Sequence, residues 1–169
     1  ECGLTAFVSC TRATVGIVDA VDVALVGAWN WTASNCGHMY RRRPKSAGGE
    51  TIFMHHEVLG KAPGLEGDHI NGVRRDNRRT NLRFVTKAQN QMNRVAVVAA
   101  SGFKGVARNK KGWSASIKKR VEGKKVNYHL GTFKTPEDAA AAYDRAAVEM
   151  FGEFAKTNEA IKFGRAVYK

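Results

Sequence analysis

Between residues 14 and 59 the hydrophobic positions fall in short runs broken by turn residues, a pattern that predicts brief strands and single helical turns rather than long helices. Thr14 to Val18 is β-branched and reads as a strand, after which Asp19 or Asp22 caps a short helix through Val23, Leu25, Val26 and Trp29. Residues 30–34 and 38–43 read as two strands separated by Asn35-Cys36-Gly37. Pro44 and Gly48-Gly49 punctuate a turn, residues 51–54 make another strand, and residues 55–59 a helical turn. Residues 1–10 carry no clear pattern. Trp29 and Trp31 read as packing residues, and Arg41, Arg42 and Arg43 read equally as a solvated strand end or as a phosphate contact.

The pattern then tightens. Gly60, Pro63, Gly64 and Gly67 break the chain before Asp68, and Asn71-Gly72 is a tight-turn signal between two short extended pieces. After a loop over residues 74–80, the run from Thr86 to Asn93 reads as a helix with Thr86 as its N-cap. Residues 95–100 are small and apolar without periodicity, which places a boundary between about Asn93 and Ser101. Beyond it, residues 103–107, 113–120 and 125–133 read as three strands, with Trp113, Ala115 and Ile117 alternating with Ser114, Ser116 and Lys118. A helix follows, opened by Thr135 and Pro136 with Glu137 and Asp138 in its first turn, and closing near Gly152. Its stripe of Ala139, Ala142, Tyr143, Ala146, Ala147 and Met150 lets it lie close against a sheet whose other, polar face stays open. The expected class is α+β: a first module over residues 1–98 with a β-rich lead-in, a second over 99–160 with a three-stranded antiparallel sheet packed on one helix, and a basic, frayed tail over 161–169.

Charge narrows the partner. A net charge of +13 and a pI of about 10.0 point to a polyanion, and with no basic amphipathic helix in view nucleic acid is a better fit than a membrane surface. No aromatic stacking motif of the common RNA modules is present, so duplex DNA is expected ahead of RNA. The three cysteines, Cys2, Cys10 and Cys36, form no C-x-x-C pair, which argues against a zinc finger, a disulfide framework and a disulfide-linked partner. No apolar run reaches transmembrane length and no secretory pattern opens the chain, so an intracellular monomer of the cytoplasm or nucleoid is expected. The chain begins at Glu1 rather than at a methionine.

Chemistry concentrates in Asp68-His69, Asn81 and Asn90. Asp68 offers a hard anionic oxygen, Asn90 an amide oxygen, and His69 a nitrogen that is largely neutral at working pH. So sparse an oxygen set suits Mg²⁺ or Mn²⁺, which keeps waters and takes further oxygens from a phosphate; beside one such divalent ion an imidazole can remove a proton from water. Singly, each of these residues is an ordinary turn residue; the spaced set inside a basic segment is what carries the reading.

The string Asp68-His69-Ile70-Asn71-Gly72, then Asp76-Asn77-Arg78-Arg79, Asn81-Leu82-Arg83 and the Gln89-Asn90-Gln91 helix resembles the HNH endonuclease family in its variant ending on asparagine, and is similar to phage and intron-encoded homing endonucleases. The resemblance implies a ββα-metal fold, His69 as general base, Asp68 and Asn90 as metal ligands, and Asn81 as the brace of the loop. Met54-His55 matches the pair the family carries before its hairpin, where His55 reads as a structural histidine ahead of a phosphate contact. At His56 the family often has arginine, a departure that weakens any phosphate role there. Arg74, Arg75, Arg78, Arg79 and Arg83 crowd this segment and read as phosphate-positioning groups.

The second module looks like the plant ethylene-response-factor, or Apetala-two, DNA-binding domain. Phe103-Lys104-Gly105-Val106, Trp113, Ile117, Leu130-Gly131-Thr132-Phe133, Glu137 to Ala142, Tyr143-Asp144-Arg145-Ala146-Ala147 and Asn158 carry that resemblance. It implies a sheet that enters the major groove, with Lys104, Arg108, Ser116, Lys118, Asn127 and His129 at the contacting positions. Ala107, Ser116, Asn127 and His129 depart from the residues common there, so the docking mode carries over and the plant recognition sequence does not. The two resemblances together imply a metal-dependent endonuclease of mobile-element type that hydrolyses duplex DNA; the competing reading is a DNA-binding transcriptional regulator on an inactive nuclease scaffold.

Overall fold

The structure, a computed structural model, describes residues 3–93 and 101–167. Cys2, most of the expected inter-module linker (residues 94–100) and the last two residues of the expected tail lie outside the described residues. The chain divides into two compact units, residues 1–88 and 89–169, and its small antiparallel sheets mixed with short helices make it α+β.

In the first unit, β1 (Thr5–Cys10) and β2 (Thr14–Asp19) form a hairpin with Val8 opposite Gly16. The sequence pattern does not show β1 because its exposed face carries Phe7 while Val8 turns inward, so apolar residues on both faces erase the period of two. A 3-10 turn over Ala20–Asp22 leads into the single turn α1 (Val23–Val26). Asp19 and Asp22 make no side-chain capping bond there, contrary to expectation; both carboxylates accept hydrogen bonds from Arg79 instead. Strands β3 (Thr32–Ala33), β4 (Met39–Arg42) and β5 (Thr51–Phe53) make a meander, and β5 runs directly into α2 (Met54–Leu59). The strands β6 (Glu66–His69) and β7 (Leu82–Val85) pair with His69 opposite Leu82, and α3 (Lys87–Asn93) follows. Asn71-Gly72 does form a turn, with the Gly72 amide donating to the His69 carbonyl at 2.8 Å, but the second strand starts only after the loop that follows.

One hydrophobic core joins the lead-in to the hairpin: Val8, Val18, Val26, Trp31, Met39, Met54, Val58 and Leu82 pack together. Trp31 is buried as expected, its indole N–H donating to the Val26 carbonyl at 2.8 Å. Trp29 corrects the expectation, since it lies half in solvent beneath the Arg41 guanidinium, 4.0 Å from the ring centre. Gly67 allows β6 to pass close to α2, because a Cβ at that position would stand 2.9 Å from the His55 ring.

The second unit is built on the sheet β8 (Val106–Asn109), β9 (Gly112–Val121) and β10 (Lys124–Phe133), with β9 central and a bulge between His129 and Gly131. Helix α4 (Pro136–Phe151) begins where Thr135 Oγ1 accepts the Asp138 amide at 3.2 Å, as the sequence predicts. Its buried Ala139, Ala140, Ala142, Tyr143 and Ala147 lie against Val106, Ala115 and Ile117 of the sheet. Gly105 sits at φ +76°, and a Cβ there would run into the Tyr143 ring, so both backbone conformation and packing require glycine.

The expected frayed tail is corrected: Asn158–Val167 forms a helix, α5. Its first amides are held in place by a carboxylate on α4, with Asn158 N donating to Asp144 Oδ1 at 2.7 Å and Glu159 N to Oδ2 at 3.1 Å. Ile161 anchors it by burial.

Candidate active site

His69 ends β6, and the twelve residues between it and β7 are tied down at nearly every turn. Asn81 spans the base of this loop: its Oδ1 accepts the Asn71 amide at 3.0 Å and its Nδ2 donates to the Asp76 carbonyl at 2.7 Å. Asp76, fully buried, accepts from Asn71 Nδ2 at 3.0 Å and from two nitrogens of Arg78 at 2.8 and 2.7 Å. The loop is also sewn to the lead-in, since Ile17 of β2 donates to the Arg75 carbonyl at 2.8 Å and accepts from the Asn77 amide at 2.7 Å. Local sequence thus makes a rigid loop from polar residues that would otherwise be solvated.

The rings then converge. His69 stands 5.0 Å from His55 and 5.6 Å from His38, centroid to centroid, and His38 and His55 are 5.3 Å apart. His38 precedes β4, His55 sits in the first turn of α2, and His69 closes β6, so three elements aim imidazoles at one point. Their ligating nitrogens all lie within 4.8 Å of one another. Burial lowers the pKa of His38 to about 4 and that of His55 to about 2; the Arg74 charge and then the neighbouring imidazoles add to the shift at His38, and the neighbouring imidazoles to that at His55. The His69 pKa is lowered by the same desolvation, opposed by its hydrogen bond to Asn77 and by the charges of Asp68 and Asp76. At neutral pH His38 and His55 are therefore uncharged, with lone pairs available as ligands or bases.

Asp68 is buried in the strand beside His69, and its Oδ2 pairs with Arg83 Nε at 3.1 Å. One carboxylate flanking one imidazole fits a Mg²⁺ or Mn²⁺ ion that draws its remaining oxygens from water and substrate. Asn90 lies on α3, half-buried. His38 is not among the residues the sequence singles out and His55 is expected as a structural histidine; the signal for both is the density of histidine around the hairpin, which periodicity cannot arrange in space.

The arginines sort into different environments. Arg79 forms a forked pair with the buried Asp22, at 2.7 Å for its shortest contact, Arg78 does the same with Asp76, and Arg83 is taken by Asp68. Each of these three is thus paired with a carboxylate of the fold. Arg74 is exposed; among the described residues its guanidinium donates to the Cys36 carbonyl at 2.9 Å, and its charge lies close enough to His38 and His69 to lower the pKa of both. Arg75 is half-buried.

On the second unit the sheet face away from α4 carries Ser114, Ser116, Lys118 and Arg120 of β9 across from Thr132, His129, Asn127 and Lys125 of β10. Ser116, Lys118, Asn127 and His129 are thus brought together as the sequence predicts. Arg108 is not: it lies in register with Trp113, on the other face, with its guanidinium 5.1 Å from the indole. Nor is Lys104, whose half-buried ammonium donates to the Met92 and Lys156 carbonyls at 3.4 Å and stands 5.8 Å from the Tyr143 ring. Burial lowers its pKa to about 8. Ser114, Arg120 and Lys125 complete the polar face and follow from simple strand alternation. Cys10 and Cys36 are free thiols, and among the described residues no helix is long and apolar enough to cross a membrane.

Comparison with known proteins divides along the same line. The HNH endonuclease family matches residues 53–92. An uncharacterized HNH endonuclease of Acanthamoeba polyphaga mimivirus is 32% identical over 103 residues, 60% of this chain and 52% of the viral protein. An ethylene-responsive transcription factor of Arabidopsis thaliana is 46% identical over 65 residues, 37% of this chain and 38% of the plant protein; a second is 48% identical over 58 residues, 34% of this chain and 22% of its own length. The chain therefore spans about half or less of each of these relatives. No solved structure matches.

Proposed function

We propose, from a chain that joins a segment of HNH endonuclease type to one of ethylene-response-factor type, that the protein is an intracellular, metal-dependent endonuclease of homing or mobile-element type that hydrolyses duplex DNA as a monomer. The observation that carries this reading is a buried Asp68-His69 pair at the end of a strand, followed by a loop braced through Asn81. In the proposed ββα-metal arrangement Asp68 and Asn90 supply oxygens to one divalent ion, Mg²⁺ or Mn²⁺, which when bound would stabilise charge on the phosphate and the leaving oxygen.

His69 takes the proton of the attacking water. Asn77 orients its ring, and burial keeps the imidazole in the basic form that abstraction requires. Arg74, exposed beside the loop, offers a phosphate contact. The sheet face centred on Ser116, Lys118, Asn127 and His129 holds duplex DNA, and tethering the two modules, with limits near residues 98 and 160, turns the second contact into an intramolecular one.

A nicking assay on supercoiled plasmid tests this. Cutting should require Mg²⁺ or Mn²⁺, stop with chelator, and vanish in His69→Ala while DNA retention persists. Binding of a defined site without any cutting under those conditions would instead support the regulator reading, which rests on the plant similarity alone.

A further inference from the structure

The three imidazoles have no place in hydrolysis beyond His69, and this leaves His38 and His55 to be explained. A histidine buried for packing normally finds a hydrogen-bond partner for each polar nitrogen. The Nδ1 of His38 is buried and has no partner among the described residues. The His38 ring lies beside two other imidazoles, with ring centres 5.3 and 5.6 Å away, and one nitrogen of each of the three lies within 4.8 Å of the others. We propose that His38, His55 and His69 form a second cation site, distinct from the Mg²⁺ ligands, that takes one borderline divalent ion of the zinc class through one ring nitrogen each.

The donor set selects the ion. Imidazole suits Zn²⁺, Co²⁺, Ni²⁺ and Cu²⁺, whereas Mg²⁺ requires oxygen ligands. A tetrahedral zinc with Zn–N bonds of about 2.0 Å sets its nitrogens about 3.3 Å apart. Binding therefore draws together nitrogens that now lie within 4.8 Å of one another. Three protein nitrogens leave the fourth position for water or a phosphate oxygen. Asn77, against His69 Nε2 at 3.2 Å, supplies the outer hydrogen bond that commonly fixes a ligating ring. The charges near His69 are mixed: Asp68 and Asp76 favour a cation there but are paired with Arg83 and Arg78, and Arg74 opposes one, so the imidazole donors carry the site.

Occupation of this site withdraws the lone pair that His69 needs as a base, so zinc-class ions are inhibitors of the Mg²⁺-supported reaction. That consequence rests on the proposed nuclease function; the binding itself does not.

The test uses the 169-residue chain, in wild type and in a Cys2→Ser/Cys10→Ser/Cys36→Ser background, titrated with Co²⁺ and then Zn²⁺. A visible d–d band of tetrahedral cobalt should saturate at one equivalent per chain, survive in the cysteine-free background, and bleach when Zn²⁺ displaces Co²⁺. His38→Gln and His55→Gln should each weaken uptake by at least about tenfold, since losing a ligand costs no less than losing an outer-sphere partner. X-ray absorption of the wild-type zinc adduct keeps the test valid if a variant fails to fold. A shell of three imidazole nitrogens is expected, and a sulfur shell, a single imidazole or absence of uptake overturns the site. Nicking at saturating Mg²⁺ should fall with added Zn²⁺ along the same binding curve; uptake through three imidazoles with undiminished nicking would keep the site and remove His69 from the base role.

Discussion

His69 Nε2 and Asn77 Oδ1 lie 3.2 Å apart inside the loop. The direction of that bond is set from the asparagine side, because Asn77 Nδ2 already donates to the Arg75 carbonyl at 3.0 Å and to Met54 Sδ at 3.4 Å. Its oxygen must therefore accept, which places the proton of His69 on Nε2 and the lone pair on Nδ1.

From this follows a test of positioning. Asn77→Leu keeps the volume but releases the tautomer and the ring angle, so the nicking rate at saturating DNA should fall about 10- to 100-fold while the KM for DNA stays the same. Stability should fall by about 1–3 kcal/mol, because the Arg75 carbonyl and the His69 N–H each lose a buried partner. Single-turnover nicking together with urea unfolding separates the two effects; an unchanged rate in a folded variant would take Asn77 out of the mechanism.

Arg79 is exposed, but its forked pair with the buried Asp22 predicts a different outcome from that of the exposed Arg74. Arg79→Ala leaves a buried carboxylate without its donor and should destabilise the first unit by about 1–3 kcal/mol, with little change in DNA affinity once the protein is folded. Arg74→Ala, which removes an exposed charge whose guanidinium donates to the Cys36 carbonyl, should do the reverse. Chemical denaturation and a DNA-binding titration on both variants check this, and a large affinity loss in Arg79→Ala alone would return that residue to the phosphate contacts.

These pairs also show what was legible beforehand. The spacing of Asp68, His69, Asn81 and Asn90 and the alternation along β9 are local patterns, and a local pattern is what sequence displays. The Asp22 to Arg79 pair spans 57 positions, and the meeting of His38, His55 and His69 depends on how β4, α2 and β6 pack, so neither leaves a periodic trace. Lys104 was misplaced for the same reason: a lysine next to a strand reads as surface until a helix covers it. The helix α5 is only partly legible: Thr157 Oγ1 at its own start accepts the Ala160 amide at 3.1 Å, but the acceptor of its first two amides, Asp144, is supplied by another helix.

That last contact can be tested by itself. Asp144→Ala removes the acceptor for two amides at the start of α5 and for Asn158 Nδ2, so α5 should fray and the second unit should lose about 1–2 kcal/mol, at the upper end for a helix cap. Amide exchange would register it as faster exchange confined to residues 158–162 and the Lys104 strand entry, which Asn158 holds through Oδ1 at 2.6 Å. Uniform acceleration across β8, β9 and β10 would instead mean that Asp144 supports the whole unit.

Lys104 and Lys118 give the sharpest contrast on the proposed DNA face. Lys118 is exposed on the polar side of β9, so Lys118→Ala should weaken duplex binding and reduce the slope of log K against log salt by about 0.9, the value for one lost phosphate contact. Lys104→Met should leave that slope alone, because the ammonium it removes is held by carbonyls beneath the sheet. The buried lysine announces itself through pH instead. Its folded pKa of about 8 lies below the ordinary 10.5, so the folded state disfavours its charge, and the penalty is complete below pH 8 and disappears as pH rises through 10.5. Wild-type stability measured against Lys104→Met should therefore climb between those two values and be flat below them. A flat difference throughout, or a salt slope that drops in Lys104→Met, would put the ammonium back in solvent within reach of DNA.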